Sequence, residues 1–127
     1  MTNEEWAEKW KRQAQADIKA AGDSLKSRNY EWACFAAQQA AEKMLKSYLF
    51  GQGQRVLTTH SLRKLILEAA DHDKRFKKAE QDAKLLDNFY FTTRYPDALA
   101  DDIPADYFSE ADAKEALRAA ERIKRLI

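Results

Sequence analysis

The chain has 127 residues with 22 basic and 21 acidic side chains, so its formal net charge is +1 and no strong overall field draws it to nucleic acid or to an anionic membrane. This length fits one domain over residues 1–127. Three glycines and two prolines leave too few turns for a β-sandwich, and the composition favours helices. The sequence carries no signal-like leader and no apolar run that could span a membrane, so we expect a soluble, cytoplasmic protein.

Two long helices are predicted in the first half of the chain. The apolar spacing indicates an amphipathic helix from Asn3 to about Lys26. A second helix follows, roughly from Tyr30 to Phe50, and its broad, alanine-rich stripe is typical of a central helix with several neighbours. The glycine-containing segment 51–54 ends it. Thr59 or Ser61 can then cap a short third helix.

Two more helices are predicted in the second half. A fourth helix starts at Asp71 or Asp73, and it ends near Arg94 because the residue before Pro96 avoids helical backbone angles. A loop precedes the last helix, whose start at Ser109-Glu110-Ala111-Asp112 resembles a capping box with Asp in place of Glu. The predicted fold class is all-α, an up-and-down four-helix bundle with a short additional helix.

The second helix carries two aromatic residues outside its apolar stripe. At about 100° per residue, Phe35 falls on the polar side of the helix and Trp32 lies nearer its edge. The neighbours of Phe35 on that polar side are Gln39, Glu42 and Lys46. A large aromatic side chain on a solvated face is covered either by a loop or by another subunit. We therefore predict that Trp32 and Phe35 belong to the interface of any homodimer.

Polar side chains mark the end of the fourth helix. Asp87, Tyr90 and Arg94 are spaced three and four residues apart, so they lie along one face. One interpretation is structural: Asp87 and Arg94 pair with help from Tyr90 or the next loop, and tie the turn at Tyr95 to the bundle. The other is a groove that presents the arginine to phosphate, with Tyr90 and Tyr95 beside it. The acidic residues of the segment 97–112 argue mildly against phosphate binding in that loop.

Other candidate site residues allow a structural or a functional interpretation. His60 stands at a helix start, where it can dock the loop or serve as a base or phosphate contact, because imidazole titrates near neutrality. Lys43 and Lys46 can help to neutralise an anion or simply keep a helix face soluble. Cys34, the only cysteine, is expected to be a packed thiol. Two histidines without ligand-type spacing predict no metal site, and nothing predicts a cofactor.

Three segments in this order resemble the HEPN family: Gln39-Ala40-Ala41-Glu42-Lys43-Met44-Leu45-Lys46, Thr59-His60-Ser61-Leu62, and Tyr90 through Asp97. The resemblance extends over nearly the whole chain. It implies an up-and-down helical bundle with a short extra helix, a module that is linked to nucleotides and RNA and that usually dimerises. It also implies a stand-alone prokaryotic domain that acts with a small nucleotidyltransferase protein, in some cases as a toxin–antitoxin pair.

The resemblance also implies where a ribonuclease site would lie. In ribonucleases of the family, four to six residues separate an arginine from the histidine that follows it, and both assist attack by a ribose 2′-hydroxyl. Arg94 matches the arginine, but Leu99, Ala100 and Asp101 stand where the histidine is expected. None of these side chains can replace imidazole as a proton shuttle near neutrality. This departure disfavours metal-independent RNA cleavage.

Three functions therefore remain open from the sequence. The favoured one is a dimeric module that binds a purine nucleotide or RNA, or docks the nucleotidyltransferase, through Asp87, Tyr90, Arg94, Tyr95, His60, Lys43 and Lys46. The second is an RNA-cleaving toxin that uses Arg94 with His60 supplied from elsewhere in space. The third is a structural subunit whose chemistry lies wholly in its partner.

Overall fold

The structure, a computed structural model, describes residues 1–55 and 57–127. Helix α1 spans Asn3–Lys26 as predicted. It begins in a capping box, in which the Thr2 hydroxyl accepts from the Glu5 amide at 3.1 Å and the Glu5 carboxylate accepts from the Thr2 amide at 2.7 Å. The chain then reverses through Arg28, which has a φ of 64°.

Helix α2 spans Tyr30–Gly51 and packs against both α1 and the last helix. Its alanines make this possible, because a side chain of one carbon lets neighbouring helices approach closely. Past its end, Gly53 adopts a φ of 99°, a left-handed angle that glycine takes without a steric cost. The side-chain amide of Asn3 donates from Nδ2 to the carbonyls of Phe50 and Gln54, and so ties the start of α1 to the end of α2.

Helix α3 spans Leu62–His72, and Ser61 rather than Thr59 caps it, accepting from the Lys64 amide at 3.2 Å. The predicted continuous fourth helix is wrong in detail. A 3₁₀ turn at Lys74–Ala79 leads into α4 (Glu80–Asp87), and a separate turn, α5 (Phe89–Thr92), follows.

The break before α5 has a local cause. The hydroxyls of Thr92 and Thr93 donate to the carbonyls of Asn88 and Phe89, four residues earlier. Such bonds compete with the helical ladder and bend a helix. Helix α5 ends at Thr92, near Arg94 and before Pro96, as predicted.

Beyond Pro96 the connection is more ordered than the predicted loop. A 3₁₀ turn covers Pro96–Ala98 and a one-turn helix, α6, covers Pro104–Tyr107. Helix α7 spans Glu110–Arg125, and the predicted capping box is confirmed: Ser109 accepts from the Asp112 amide while the Asp112 carboxylate accepts from the Ser109 amide.

The core lies between α2 and the elements around it. Its largest fully buried apolar side chains come from α2, α3, the 3₁₀ turn, α4 and α7: Leu45, Leu49, Leu62, Leu65, Ile66, Phe76, Leu86 and Ile123. The predicted fold class, an all-α four-helix bundle with a short additional helix, is confirmed. Within the described residues, no helix is both long and apolar enough to cross a bilayer.

Candidate functional site

One face of α2 is polar and yet buried. Gln38, Glu42 and Lys46 succeed one another at four-residue spacing, and none is more than 3% exposed. The prediction that Glu42 and Lys46 lie on a solvated side is therefore wrong. The Trp10 ring of α1 covers Lys46, with the ammonium 5.3 Å from the ring centroid, and the loop before α3 covers Glu42.

The Glu42 carboxylate is the centre of this buried group. It accepts from the Lys46 ammonium at 3.0 Å and, more weakly, from the side-chain amide of Gln38 at 3.4 Å. The Nδ1 atom of His60 lies 3.2 and 3.3 Å from its two oxygens. A buried carboxylate needs both a countercharge and hydrogen-bond donors, and Glu42 has them.

His60 links the buried group to the surface. Its side chain is 54% exposed although its partner Glu42 is buried. The imidazole also stacks on Tyr90 of α5, with the ring centroids 4.8 Å apart and the planes at 18°. The loop docking expected from the sequence is thus present, and it places His60 against the polar end of the fourth predicted helix.

Asp87 caps a helix and does not pair with Arg94. Its carboxylate accepts from the backbone amides of Leu62 and Arg63, at 2.7 and 3.2 Å, and lies 3.5 Å from the Ser61 hydroxyl. These amides belong to the first turn of α3, where they have no partner within the helix and where the helix dipole favours a negative charge. The predicted Asp87–Arg94 network is wrong because the unpaired amides of α3 lie within reach of this carboxylate.

Arg94 is held by its own helix turn and by aromatic rings. Its Nε and Nη2 atoms donate to the Tyr90 carbonyl at 2.9 and 2.5 Å. The guanidinium carbon lies 4.3 Å from the ring centroid of Phe35, 4.9 Å from that of Tyr90 and 5.0 Å from that of Tyr95. Among the described residues no carboxylate forms an ion pair with Arg94. Within residues 1–55 and 57–127, the Arg94 guanidinium therefore has no acidic partner.

Arg94 lies beside a group of aromatic side chains that we call the aromatic patch: Phe35, which is half-buried, and Phe91, Tyr95 and Trp32, which are exposed. Trp32 is 51% exposed and meets Phe35 edge to face, and Phe91 is 60% exposed. A hollow of about 320 Å³ lies beside Phe91, Tyr95 and Asp97. Of the two ways to cover Phe35 that the sequence left open, a contact within the chain is present, since Tyr90 and Arg94 pack on its ring.

The two lysines predicted for the site are engaged in ion pairs. Lys43 contacts Asp17 of α1 at 2.6 Å, and Lys46 pairs with Glu42 inside the buried group. The structure brings Arg94, Tyr90, Tyr95 and His60 into one cluster. The Arg94 guanidinium packs on the rings of Tyr90 and Tyr95, and the His60 ring stacks on Tyr90. Lys46 reaches this cluster only through Glu42.

Cys34 is a packed thiol, as predicted from its apolar helix. It is fully buried, and burial, with the nearby charges of Asp112 and Glu31, raises the pKa of its thiol to about 12. Only the thiolate is a good nucleophile, so this pKa excludes Cys34 from nucleophilic chemistry near neutral pH.

The arrangement provides three chemical groups on one surface. The guanidinium of Arg94 can bind an anion, the exposed rings can stack on a base, and His60 can exchange a hydrogen bond with a ligand. Sequence reasoning missed the role of Glu42. The signal for it was an acid and a base four residues apart next to a broad apolar stripe, but the same signal marks ordinary surface pairs.

Comparison with known proteins identifies the family and supports the fold. The HEPN domain family matches residues 7–127. The crystal structure of TT1696 from Thermus thermophilus is similar with a TM-score of 0.87 and 38% identity, over 92% of this chain and 91% of that one. The crystal structure of ST0689, an archaeal HEPN homologue, has a TM-score of 0.78 and 34% identity, over 94% of this chain and 93% of its own. No curated protein matches the chain. The family match over residues 7–127 and the similarity to the archaeal HEPN homologue lead to one conclusion: the chain belongs to the HEPN family.

Proposed function

We propose that the protein is a nucleotide-binding HEPN module whose site is centred on Arg94. The observation that carries this proposal is the environment of that side chain. Its guanidinium is fixed by the Tyr90 carbonyl and by three rings within 5.0 Å, and no carboxylate of the described residues pairs with it. An arginine that is oriented but not neutralised is suited to a phosphate group.

The rings beside Arg94 suit the other half of a nucleotide. Phe91 and Tyr95 are 60% and 46% exposed, and bases stack on aromatic faces with about 1–3 kcal/mol each. Asp97 borders the same hollow and repels additional negative charge. We therefore expect a ligand in which the base contributes much of the contact, such as a purine nucleotide or the end of an RNA.

Isothermal titration with ATP, GTP and a short RNA tests this site. Arg94→Ala should weaken binding more than tenfold, roughly 1.4 kcal/mol, because the phosphate loses its cation. Arg94→Lys should retain part of the affinity, since a lysine keeps the charge without the fixed fork. Arg118→Ala, which removes an exposed charge from α7, is the matched control and should leave binding unchanged. An unchanged affinity in Arg94→Ala would contradict the proposed site.

The aromatic patch also supports a dimer and a protein partner. Trp32 exposes half of its surface next to Phe35, and large exposed aromatic side chains are typical of interfaces. We propose a homodimer that buries Trp32 and Phe35 and acts with a small nucleotidyltransferase protein, as in a toxin–antitoxin pair. Sedimentation of Trp32→Ser should then give a monomer where the parent protein gives a dimer, while a dimer in both would exclude this interface.

A second function, metal-independent RNA cleavage, is favoured by the position of His60. The His60 ring and the Arg94 guanidinium both contact Tyr90, so one residue links this imidazole to Arg94 although the chain lacks the histidine that follows the arginine in the family's ribonucleases. A cleavage assay with labelled RNA in excess EDTA separates the two functions. If the protein cleaves RNA and both His60→Ala and Arg94→Ala abolish the cleavage, the protein is a ribonuclease. If the RNA stays intact while nucleotide binds, the result supports the binding module.

A further inference from the structure

We infer that Glu42 is a positioning residue for the site: it holds His60 in the Nδ1–H tautomer, so that Nε2 is left to accept a hydrogen bond from the ligand beside Arg94. This inference rests on the proposed function for the identity of the ligand. The tautomer itself is a property of the free protein and can be measured without any ligand.

The hydrogen bond to Glu42 determines the tautomer. An ionised carboxylate can only accept, so the Nδ1 atom that lies 3.2 Å from it must carry the hydrogen. A neutral imidazole then has its lone pair on Nε2. Among the described residues no group donates to Nε2, and the ring is 54% exposed, so this acceptor is accessible to a ligand.

The stacking on Tyr90 completes the restraint. The two rings are nearly parallel, at 18° and 4.8 Å, which limits rotation of the imidazole out of its plane. The contact with Glu42 fixes rotation within the plane. Two restraints at right angles hold His60 in one orientation, as expected for a group that must meet a ligand with little loss of entropy.

The burial of Glu42 argues that this arrangement serves more than stability. The side chains of Glu42 and Lys46, taken without their backbone atoms, are 4% and 3% exposed, and a buried ion pair is often no better for stability than apolar residues of the same size. What an apolar pair cannot provide is a fixed acceptor for an imidazole at the surface. The outcome is a site with opposite hydrogen-bond polarity at its two ends, donors on Arg94 and an acceptor on His60.

That polarity predicts the class of ligand. A nucleotide that presents phosphate oxygens to Arg94 and a ribose hydroxyl or a base amino group to His60 satisfies both ends. Inorganic phosphate satisfies Arg94 alone. We therefore expect the contribution of His60 to appear with nucleotides and to be absent with phosphate.

Long-range ¹H–¹⁵N correlation spectra of the imidazoles test the inference under alkaline conditions in which histidine is neutral. His72, the other histidine of the chain, is assigned with His72→Asn. The spectra should show His60 as Nδ1–H in the parent protein and as the Nε2–H form, which unconstrained imidazole prefers, in the double variant Glu42→Met with Lys46→Met. Removing both partners avoids leaving a single buried charge. The double variant should also bind nucleotide roughly threefold to tenfold more weakly, the value of one hydrogen bond, with unchanged phosphate binding.

Each outcome decides a separate point. An Nε2–H tautomer in the parent protein, or an Nδ1–H tautomer that persists in the double variant, would overturn the positioning role. A changed tautomer with unchanged nucleotide affinity would show that His60 does not serve the ligand. If the parent protein binds no nucleotide, the proposed function fails, and the tautomer still shows whether Glu42 orients His60. If the double variant does not fold, Glu42→Asp, which keeps the charge, is measured in its place.

Discussion

The two faces of α2 are both buried, and they are built from opposite kinds of residue. The face towards α3, α4 and α7 carries small and branched apolar side chains such as Ala37, Ala41 and Leu45. The face beneath His60 and Trp10 carries Glu42 and Lys46, which are equally inaccessible. The first face is explained by the removal of apolar surface from water, whereas the second is tolerable only because its charges neutralise each other. Burial alone therefore does not distinguish core residues from buried residues that support a site at the surface.

The largest effect is expected where a buried charge loses its partner. Glu42→Met alone leaves Lys46 uncompensated and should lower the free energy of unfolding by about 3–5 kcal/mol. The double variant Glu42→Met with Lys46→Met should lose much less, because no charge remains buried. Urea unfolding of the single and double variants measures the difference. A single variant as stable as the double one would show that the pair is not coupled in this way.

A somewhat smaller loss is expected on the apolar face. Leu45 is fully buried, and Leu45→Ala should cost about 3 kcal/mol because the cavity removes both transfer energy and packing contacts. No second truncation should restore this loss, in contrast to the charged face. Leu67→Ala, at a leucine of α3 that is 42% exposed, is the control and should cost no more than about 0.5 kcal/mol. Equal losses at the two leucines would contradict the assignment of the core.

A moderate effect is expected where Asp87, at the end of α4, caps the start of α3. Asp87→Ala removes the acceptor for the Leu62 and Arg63 amides and should cost about 1–2 kcal/mol, the value of a helix cap. Hydrogen exchange should quicken in the first turn of α3. Ser109→Ala, which removes the cap of α7, should give a similar loss of stability and leave the exchange of α3 unchanged. If Asp87→Ala instead quickens hydrogen exchange around Arg94, the result would support a network between Asp87 and Arg94.

The fold could be predicted from the sequence because its signals are local. The capping box at Ser109, the helix stop before Pro96 and the apolar periodicity of α1 each depend on a few neighbouring residues, and the structure agrees with all three. The break between α4 and α5 escaped prediction. It depends on hydroxyls of Thr92 and Thr93 that turn back to the helix carbonyls, and periodicity does not reveal this choice.

The site could be predicted only in part, because its contacts join residues that are distant in the chain. Arg94 and Tyr90 were identified from spacing on one helix, and His60 from its place at a helix start. The link between them is the stacking of His60 on Tyr90, thirty positions away. Glu42 could not be recognised because a Glu–Lys pair at i, i+4 is the usual sign of a solvated helix face. The pair is buried because the loop before α3 docks over Glu42 and the Trp10 ring of α1 covers Lys46.

The smallest effect is expected at Lys43. This prediction distinguishes a lysine of α2 that joins two helices from Arg94, the cation that we propose binds the ligand. Lys43 pairs with Asp17 across the α1–α2 contact at 2.6 Å, with both side chains partly exposed. Such pairs contribute at most about 1 kcal/mol, so Lys43→Ala should lower the unfolding midpoint slightly. Its nucleotide affinity should equal that of the parent protein, since the charge of Lys43 is already matched by Asp17 whereas that of Arg94 is not. A loss of affinity comparable to that of Arg94→Ala would extend the binding surface to the α1 side of α2, and would mean that the partnered lysine exchanges Asp17 for the ligand.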